Sequence, residues 1–286
     1  MGAFRQEHIV DKDFPFLLFS HEENITFPPH WHDEIELIYM LDGECEVWLN
    51  NTLYKLNKGN LLIIGSREIH HFSNNKKSRK IFIQFNLSLV SNIYNDLNKL
   101  KFINPVFESD KISDEHYKME LERQILDLKQ EFIQKKPAYK LNLMAGLYRI
   151  IAVLLRFTPI EYYSKGEKTK QNQRINLLSR IYKYVEYHYN ENISLDQIAK
   201  VANFSTYHFT RFFKKSTGIT FLSYLHLYRV EKSKNLLKSS SKKIIEIAML
   251  SGFDNIKTYN RVFKDYTGMT PSEYRKNIEQ IQDSNI

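Results

Sequence analysis

Residues 198–224 read IAKVANFSTYHFTRFFKKSTGITFLSY, and residues 247–274 read IAMLSGFDNIKTYNRVFKDYTGMTPSEY. Aligned, they are one unit written twice. Ile198-Ala199 corresponds to Ile247-Ala248, and Asn203-Phe204-Ser205 to Gly252-Phe253-Asp254. Arg211, Phe213 and Lys214 correspond to Arg261, Phe263 and Lys264; Thr217-Gly218, Thr220 and Tyr224 correspond to Thr267-Gly268, Thr270 and Tyr274. The offset is 49 residues at the start and 50 after one residue inserted in the second copy. A repeat of this kind is one supersecondary unit used twice.

The turn chemistry says which unit. Asn203 and Gly252 stand at the junction between two helices and are the residue types that best tolerate positive φ. Phe204 or Phe253 is expected to plug the corner of the core, and Ser205 or Asp254 to cap the helix that follows. That helix has an apolar stripe, Phe209, Phe212 and Phe213 in one copy and Tyr259, Val262 and Phe263 in the other. Its other side carries Thr206, Tyr207, Thr210, Arg211 and Lys214, or Ile256, Lys257, Asn260, Arg261 and Lys264. These recur at three and four residues and so project together. Side chains of these types reach phosphates and base edges. A solvated helix face would also be polar, so duplication and charge decide in favour of DNA.

The ends of the helices are also written in the sequence. Gly218 and Gly268 suit the position after a helix. Ser194-Leu195-Asp196-Gln197 is a capping box, and Thr270-Pro271-Ser272-Glu273 joins an N-cap, a first-turn Pro and a capping Glu. Residues 221–238 read as one connecting helix with Leu222, Leu225, Tyr228 or Arg229, Leu236 and Leu237 near its buried side. It would span about 27 Å, against roughly 34 Å between successive major grooves on one face of a duplex.

Charge segregates in the same way. The chain has 286 residues and a net charge of +8. From Arg174 onward there are 18 Lys+Arg against 10 Asp+Glu, whereas residues 1–173 hold 23 of each. The whole excess lies with the repeat, as expected of a polyanion-binding domain joined to a neutral one. Cys45 is the single cysteine, which excludes an internal disulfide and favours the cytoplasm. The N-terminus has no basic-then-apolar signal pattern, and the most apolar stretch, 141–157, is interrupted by Arg149 and Arg156. No membrane segment is expected. Nor does the chain show a catalytic triad, a phosphate loop or a nucleotide fingerprint.

The first 86 residues alternate short β-rich runs with turn signals. Strands are expected at 35–41, 45–50, 61–64 and 80–86, with turns at Leu41-Asp42-Gly43, Asn50-Asn51 and Asn57-Lys58-Gly59-Asn60. This suggests a small barrel or jelly roll. Within it lie His30-Trp31-His32, Glu36, Gly43 and His70-His71. Three histidines and a glutamate at this spacing suit a metal. Imidazoles at a barrel mouth also bind small molecules or one another. Trp48 and Phe72 are apolar platforms for a ligand ring or parts of the core. Further on, Leu121, Ile125, Leu128 and Phe132, then Leu143, Leu147, Ile150 and Leu154, form two helical seams separated by Pro137. Such seams pack on the barrel or across a dimer. Residues 164–173 lack an apolar period and read as a flexible linker.

The C-terminal residues aligned above, extended through Tyr274-Arg275, resemble the AraC/XylS family of bacterial transcription regulators. The pattern His30-x-His32-x3-Glu36-x6-Gly43 resembles the cupin motif, and Glu68-Ile69-His70-His71-Phe72 is similar to the sensor-barrel mouth of sugar-responsive family members. The resemblance implies an α+β chain: a cupin-like effector-binding barrel over 1–105, a helical hairpin for dimerisation over 106–160, a linker over 161–173, and an all-α domain with two helix-turn-helix units over 174–286. It implies a cytoplasmic homodimeric activator that binds promoter DNA beside RNA polymerase and responds to a small molecule, plausibly a sugar of a carbohydrate-utilisation operon. Base reading falls on Tyr207, Thr210 and Arg211 and on Ile256, Lys257, Asn260 and Arg261. Effector contacts fall on His30, His32, Glu36, Trp48, His70 and Phe72, with no metal and no cofactor. The competing functions are a metal-dependent cupin enzyme, which leaves the duplicated basic half unexplained, and an effector-independent DNA-binding protein.

Overall fold

The computed structural model describes residues 11, 13–21, 26–73, 78–94, 96–108 and 115–283. Residues 1–10, 109–114 and 284–286 of the expected domains lie outside the described residues. The N-terminal half is an antiparallel barrel of β1 (Phe16–His21), β2 (Thr26–His30), β3 (Ile35–Leu49), β4 (Thr52–Asn57), β5 (Asn60–Ile64), β6 (His70–Ser73), β7 (Ser78–Phe85) and β9 (Val106–Glu108), with β8 (Leu100–Phe102) in a separate two-stranded ribbon. The main path runs β1-β7-β3-β5-β9, with β4 on β3 and with β6 joining β2 to β3.

One strand replaces the expected pair at 35–41 and 45–50. β3 runs through Leu41-Asp42-Gly43 without turning, because its register against β7 shifts between Met40 and Asp42 and Gly43 adopts φ 76°. This bulge bends the strand. Its first half therefore pairs with β5 and β7 and its second half with β4 and β6. The turn at Asn50-Asn51 does form, with φ 46° and 77°, as a two-residue hairpin needs.

Alternation along the strands makes two cores. Ile38, Met40, Leu62, Ile64 and Phe82 point into the barrel. Leu37, Tyr39, Leu61, Ile81 and Ile83 point outward against a hairpin of α1 (Glu115–Gln134) and α2 (Tyr139–Phe157). Leu121, Ile125 and Leu128 of α1 and Leu143, Leu147, Ile150 and Leu154 of α2 belong to that outer core, so the barrel covers both helical seams. Gly146 lets the two helices approach, since a Cβ there would lie 2.8 Å from Leu128 Cδ2. Cys45 is buried in the barrel, and burial raises its thiol pKa to about 11.

The expected linker is not one. After β10 (Ile160–Tyr162), which pairs with β8, residues 165–188 form a single helix, α3 (Lys165–His188). Ser164 and Glu167 cap it reciprocally. Its polar first turns lack an apolar period because they dock by hydrogen bonds: Gln171 Nε2 donates to Arg67 O at 3.3 Å, Arg67 Nη1 to Asn172 Oδ1 at 3.1 Å, and Arg174 Nη2 to Asn50 Oδ1 at 3.2 Å.

The repeat then builds α4 (Leu195–Val201), α5 (Thr206–Thr217), α6 (Phe221–Ser239), α7 (Ile244–Leu250), α8 (Ile256–Thr267) and α9 (Pro271–Asp283). The copies share their turns atom by atom. Phe204 N donates to Ala199 O at 2.9 Å and Phe253 N to Ala248 O at 3.0 Å; Gly218 N donates to Lys214 O at 2.9 Å and Gly268 N to Lys264 O at 2.8 Å. Asn203 and Gly252 have φ 57° and 86°. Ser205 caps α5, but the cap of α8 is Asn255 and not Asp254: the inserted residue moves the cap by one, and Asn255 Oδ1 accepts from Lys257 N at 2.7 Å. Phe253 is buried at its corner as expected, whereas Phe204 is half-buried and stacks on His208. Leu222 and Phe212 also depart from their expected burial: Leu222 is 57% exposed and Phe212 half-buried.

Gly252 and Gly268 share a positive φ but not a neighbourhood. A Cβ on Gly252 would lie 2.5 Å from Tyr189 O, whereas one on Gly268 meets nothing within 4 Å. Gly268→Ala is expected to cost about 1–2 kcal/mol from backbone strain alone, and Gly252→Ala roughly 1–3 kcal/mol more from the clash. Urea denaturation followed by far-UV circular dichroism of the two variants would show equal losses if the Tyr189 contact did not matter.

Candidate nucleic-acid interface and effector site

The C-terminal interface rests on α6. Its first half, Phe221, Tyr224, Leu225 and Tyr228, packs with α3, α4 and α5. Its second half, Val230, Leu236 and Leu237, packs with α7 and α8. Arg229 sits between these halves, buried, donating from Nε to Tyr189 O at 2.7 Å and from Nη2 to Glu191 O at 2.8 Å while its guanidinium lies 5.8 Å from the Phe253 ring centroid. One helix thus holds both helix-turn-helix units.

Thr206, Tyr207, Thr210, Arg211 and Lys214 are all exposed on α5, opposite buried Phe209 and Phe213. Arg211 Nη1 donates to Tyr207 Oη at 2.9 Å, which holds the guanidinium against the phenol ring. On α8, Lys257, Asn260, Arg261 and Lys264 are exposed. Ile256 differs: it is half-buried and packs on the second unit's core. Sequence spacing put it on the outer face, but at the first turn of α8 it lies on the boundary between faces. His208 and Lys215, not singled out from the sequence, join Tyr207, Arg211 and Lys214 along one cleft.

The far wall of that cleft is the barrel. Trp48 and Asn51 line it, and a Cβ on Gly218 would lie 3.3 Å from His71 Cε1 and 3.8 Å from Trp48 Cε3. Trp48 stacks on His71 with rings 5.9 Å apart and 3° from parallel. Burial first, then the neighbouring His70, lowers the His71 pKa to about 4. Trp48 therefore points away from the barrel interior, because in β3 it alternates with Leu49, which belongs to the inner core. Phe72 is part of that inner core.

The remaining expected effector residues converge. The register of β2 on β6 sets His30 opposite His70, with ring centroids 4.1 Å apart. His32 Nε2 and His70 Nε2 each lie 3.1 Å from Glu36 Oε2. Burial opposes a charge on His32, but the hydrogen bond and charge of Glu36, then Glu34, outweigh it and raise its pKa. Burial, then the charges of His70 and His32, hold His30 well below the usual imidazole range. Burial also works against ionised Glu36, yet hydrogen bonds and charge from His32 and His70 take its pKa below the usual carboxylate range. Two further polar groups face the interior. Gln84, opposite Glu36 in the register, is buried with Nε2 lacking a hydrogen bond. Lys80 is buried, donates to Ser78 Oγ at 2.7 Å, and has a pKa lowered by desolvation. The even-numbered positions of β7, polar at 78, 80 and 84, carried that signal in the sequence.

The barrel and the helical domain share one core. Trp31 and Ile69 are buried with Ile175, Leu178, Tyr182 and Tyr224, and the Trp31 and Tyr182 ring centroids are 5.1 Å apart. Among the described residues, no helix is long and apolar enough to cross a membrane.

Comparison with known proteins agrees with both halves. A family profile described as an AraC-like ligand binding domain matches residues 16–151, and one described as a helix-turn-helix domain matches residues 198–277. An uncharacterised HTH-type transcriptional regulator of Staphylococcus aureus strain MRSA252 is 23% identical over 237 residues, which is 83% of this chain and 31% of that protein. The chain thus spans about a third of the length of that relative. The uncharacterised HTH-type transcriptional regulator YdeC of Bacillus subtilis strain 168 is 24% identical over 263 residues, 88% of this chain and 87% of YdeC. The solved structure of ToxT from Vibrio cholerae is similar over 92% of this chain and 97% of its own, with 15% identity and a TM-score of 0.49.

Trp31→Ala is expected to remove roughly 3–5 kcal/mol of packing at the shared core. Differential scanning calorimetry should then resolve the helical domain melting apart from the barrel. A single transition at the wild-type temperature would mean that Trp31 does not join them.

Proposed function

We propose that this chain, which belongs to the AraC family of DNA-binding transcription regulators, grips promoter DNA with both recognition helices and links that grip to a small molecule held by its barrel. The observation that carries the reading is the pair of outward polar and cationic faces, on α5 and α8, held by one shared helix. α6 has 19 residues and so spans about 28 Å, comparable with the roughly 34 Å between adjacent major grooves. α5 reads bases with Tyr207, Thr210 and Arg211. α8 contributes Lys257, Asn260 and Arg261, with Ile256 at its edge offering an apolar contact to a thymine methyl.

The finer reading is an activator that works in the cytoplasm as a homodimer beside RNA polymerase and answers to a sugar of a carbohydrate-utilisation operon. The activator role, the polymerase contact and the sugar class are supported by the family resemblance. For the effector, the buried polar set of His30, His32, Glu36, His70 and Gln84 on the barrel's inner side adds hydrogen-bonding capacity. For the dimer, the support is a stripe on α1: Met119, Leu126 and Ile133, seven residues apart and 67%, 41% and 67% exposed. That spacing keeps them on one face.

DNase I footprinting of the full chain on its own promoter should show about two turns protected per protomer; protection of a single turn would refute the two-groove grip. Arg211→Ala should cost roughly 1–3 kcal/mol of specific binding and relax preference at one base pair. Lys214→Ala should weaken all sequences alike and reduce the salt slope by about one. A binding profile left unchanged by Arg211→Ala removes that residue from base reading. A thermal-shift screen of sugars on the full chain tests the effector class, and no shift with any sugar counts against it.

A further inference from the structure

We propose that the chain has a second small-molecule site, separate from the histidine cluster, that takes a carboxylic acid with an apolar body of one ring or a short chain. The site is a cavity of about 180 Å³ between the barrel rim, β8 and the start of α3. None of His30, His32, Glu36 and His70 lines it. A cavity of roughly 150 Å³ is enough for a benzene ring. Leu49, Leu97, Leu100 and Pro105, all buried, give its walls an apolar lining. Sites for small molecules combine such walls with a few polar groups that orient the ligand.

The charged groups say which head the ligand carries. Tyr163 Oη donates to Glu68 Oε1 at 3.1 Å, Asn50 Nδ2 to the same oxygen at 2.8 Å, and Gly65 N to Oε2 at 2.8 Å. Three of the roughly four acceptor positions of this carboxylate are therefore taken by the protein, which argues against a cationic ligand. Two ammonium groups share the Tyr163 ring, Lys168 Nζ at 4.3 Å from its centroid and Lys101 Nζ at 5.9 Å. Lys101 has carboxylates nearby, Glu167 at 3.4 Å and Glu161 at 4.0 Å. Lys168 has none that close among the described residues: its hydrogen-bond partner is the neutral Gln171 Oε1 at 3.2 Å. It is half-buried, and desolvation, opposed by the charge of Glu68 and assisted by that of Arg67, lowers its pKa. A carboxylate beside Lys168 supplies the counter-charge through charge-assisted hydrogen bonds, and the apolar walls take its hydrocarbon. A ligand polar all round would lose its water against those leucines without repayment.

Occupancy would bear on the helical domain. Tyr163 precedes the N-cap of α3, and Lys168 lies in the first turn of that helix. The Glu68 network continues through Asn50, whose Oδ1 accepts from Arg174 Nη2 at 3.2 Å. Arg174 Nε is buried there without a hydrogen bond, so the docking of α3 is one bond short of complete. Further along α3, Ile175, Leu178 and Tyr182 belong to the core of the first DNA-binding unit. Resting on the regulator reading above, an acid seated here changes how α3 docks on the rim and with it the affinity for operator.

The test uses the full chain in isothermal titration calorimetry, with phenylacetate and hexanoate as probe acids and phenylacetamide as the uncharged control. The expected result is one molecule of acid per chain, with phenylacetamide weaker by about tenfold or more for want of the charge-assisted bond. Lys168→Met should weaken the acids by about the same factor and leave phenylacetamide unchanged, a discrimination that a folding defect does not give. Ile103→Trp, which fills the cavity from its exposed edge, should abolish binding of all three. Lys165→Met, exposed on the same helix and outside the lining, should bind as wild type. A wild-type chain that binds neither acid, or binds acid and amide alike, overturns the site, as does wild-type affinity in both Lys168→Met and Ile103→Trp. Acid binding lost in Gln84→Leu but kept in Lys168→Met puts the acid in the barrel interior and overturns it as well. Operator affinity is measured in parallel by fluorescence anisotropy. Saturating acid should change it about fivefold or more in the wild type and leave it unmoved in Lys168→Met; no change in the wild type overturns the link to α3. A chain that binds its operator but no acid overturns the site and leaves the regulator reading standing; one that binds acid but no DNA does the reverse.

Discussion

The ring of Tyr182 is the contact on which the arrangement of this molecule depends. It lies 5.1 Å from Trp31 on one side and stacks on Tyr224 at 4.5 Å and 12° on the other. Trp31 comes from the end of a barrel strand, Tyr182 from α3, and Tyr224 from the helix shared by both DNA-binding units. Buried aromatic pairs of this kind add about 0.5–1.5 kcal/mol each beyond the area they bury. Three rings in a column therefore tie the effector half to the frame of the DNA-binding half. The polar first turns of α3 keep the column aligned, because their hydrogen bonds to Arg67 and Asn50 fix the helix against the barrel rim.

The same economy of connection holds within the helical domain. α6 serves each unit as its core helix, so the units cannot move apart without breaking both cores. Arg229 marks the crossing point. Its two backbone hydrogen bonds close the loop after α3, and its guanidinium covers the Phe253 corner of the second unit. Burial lowers its pKa, with Asp254 opposing that trend, but a guanidinium stays protonated at any physiological pH. A permanent buried cation bonded to carbonyls is a rigid joint.

Local rules were legible in the sequence wherever the backbone alone decides. The positive φ at Asn203 and Gly252, the left-handed ends at Gly218 and Gly268, and the capping boxes at Ser194 and Thr270 all follow from residue type and spacing. Reading failed where a distant partner decides. Leu41-Asp42-Gly43 looks like a turn, but β7 supplies a bulge register that carries the strand through. Residues 164–173 look like a linker because their partner is a polar barrel rim and imposes no apolar period. Trp48 read as a ligand platform or a part of the core; strand parity turns it outward to His71 and the end of α5. The cap of α8 moved from Asp254 to Asn255 because a one-residue insertion shifts the helix start, and both residue types cap equally well.

Strand parity also gives the interdomain contact its mechanism. Successive residues of an extended chain face opposite ways. A barrel that aims His30 and His32 inward must therefore aim Trp31 outward, and one that aims His70 inward must turn Ile69 and His71 out. Each outward residue here meets the helical domain: Trp31 and Ile69 enter its core, and His71 with Trp48 bounds the end of the recognition helix α5. The same short segments therefore present both the inward and the outward set. Packed cores respond to small shifts by changing partners rather than by deforming smoothly. The inner cluster and the residues that meet the helical domain are thus neighbours along the same short segments of backbone.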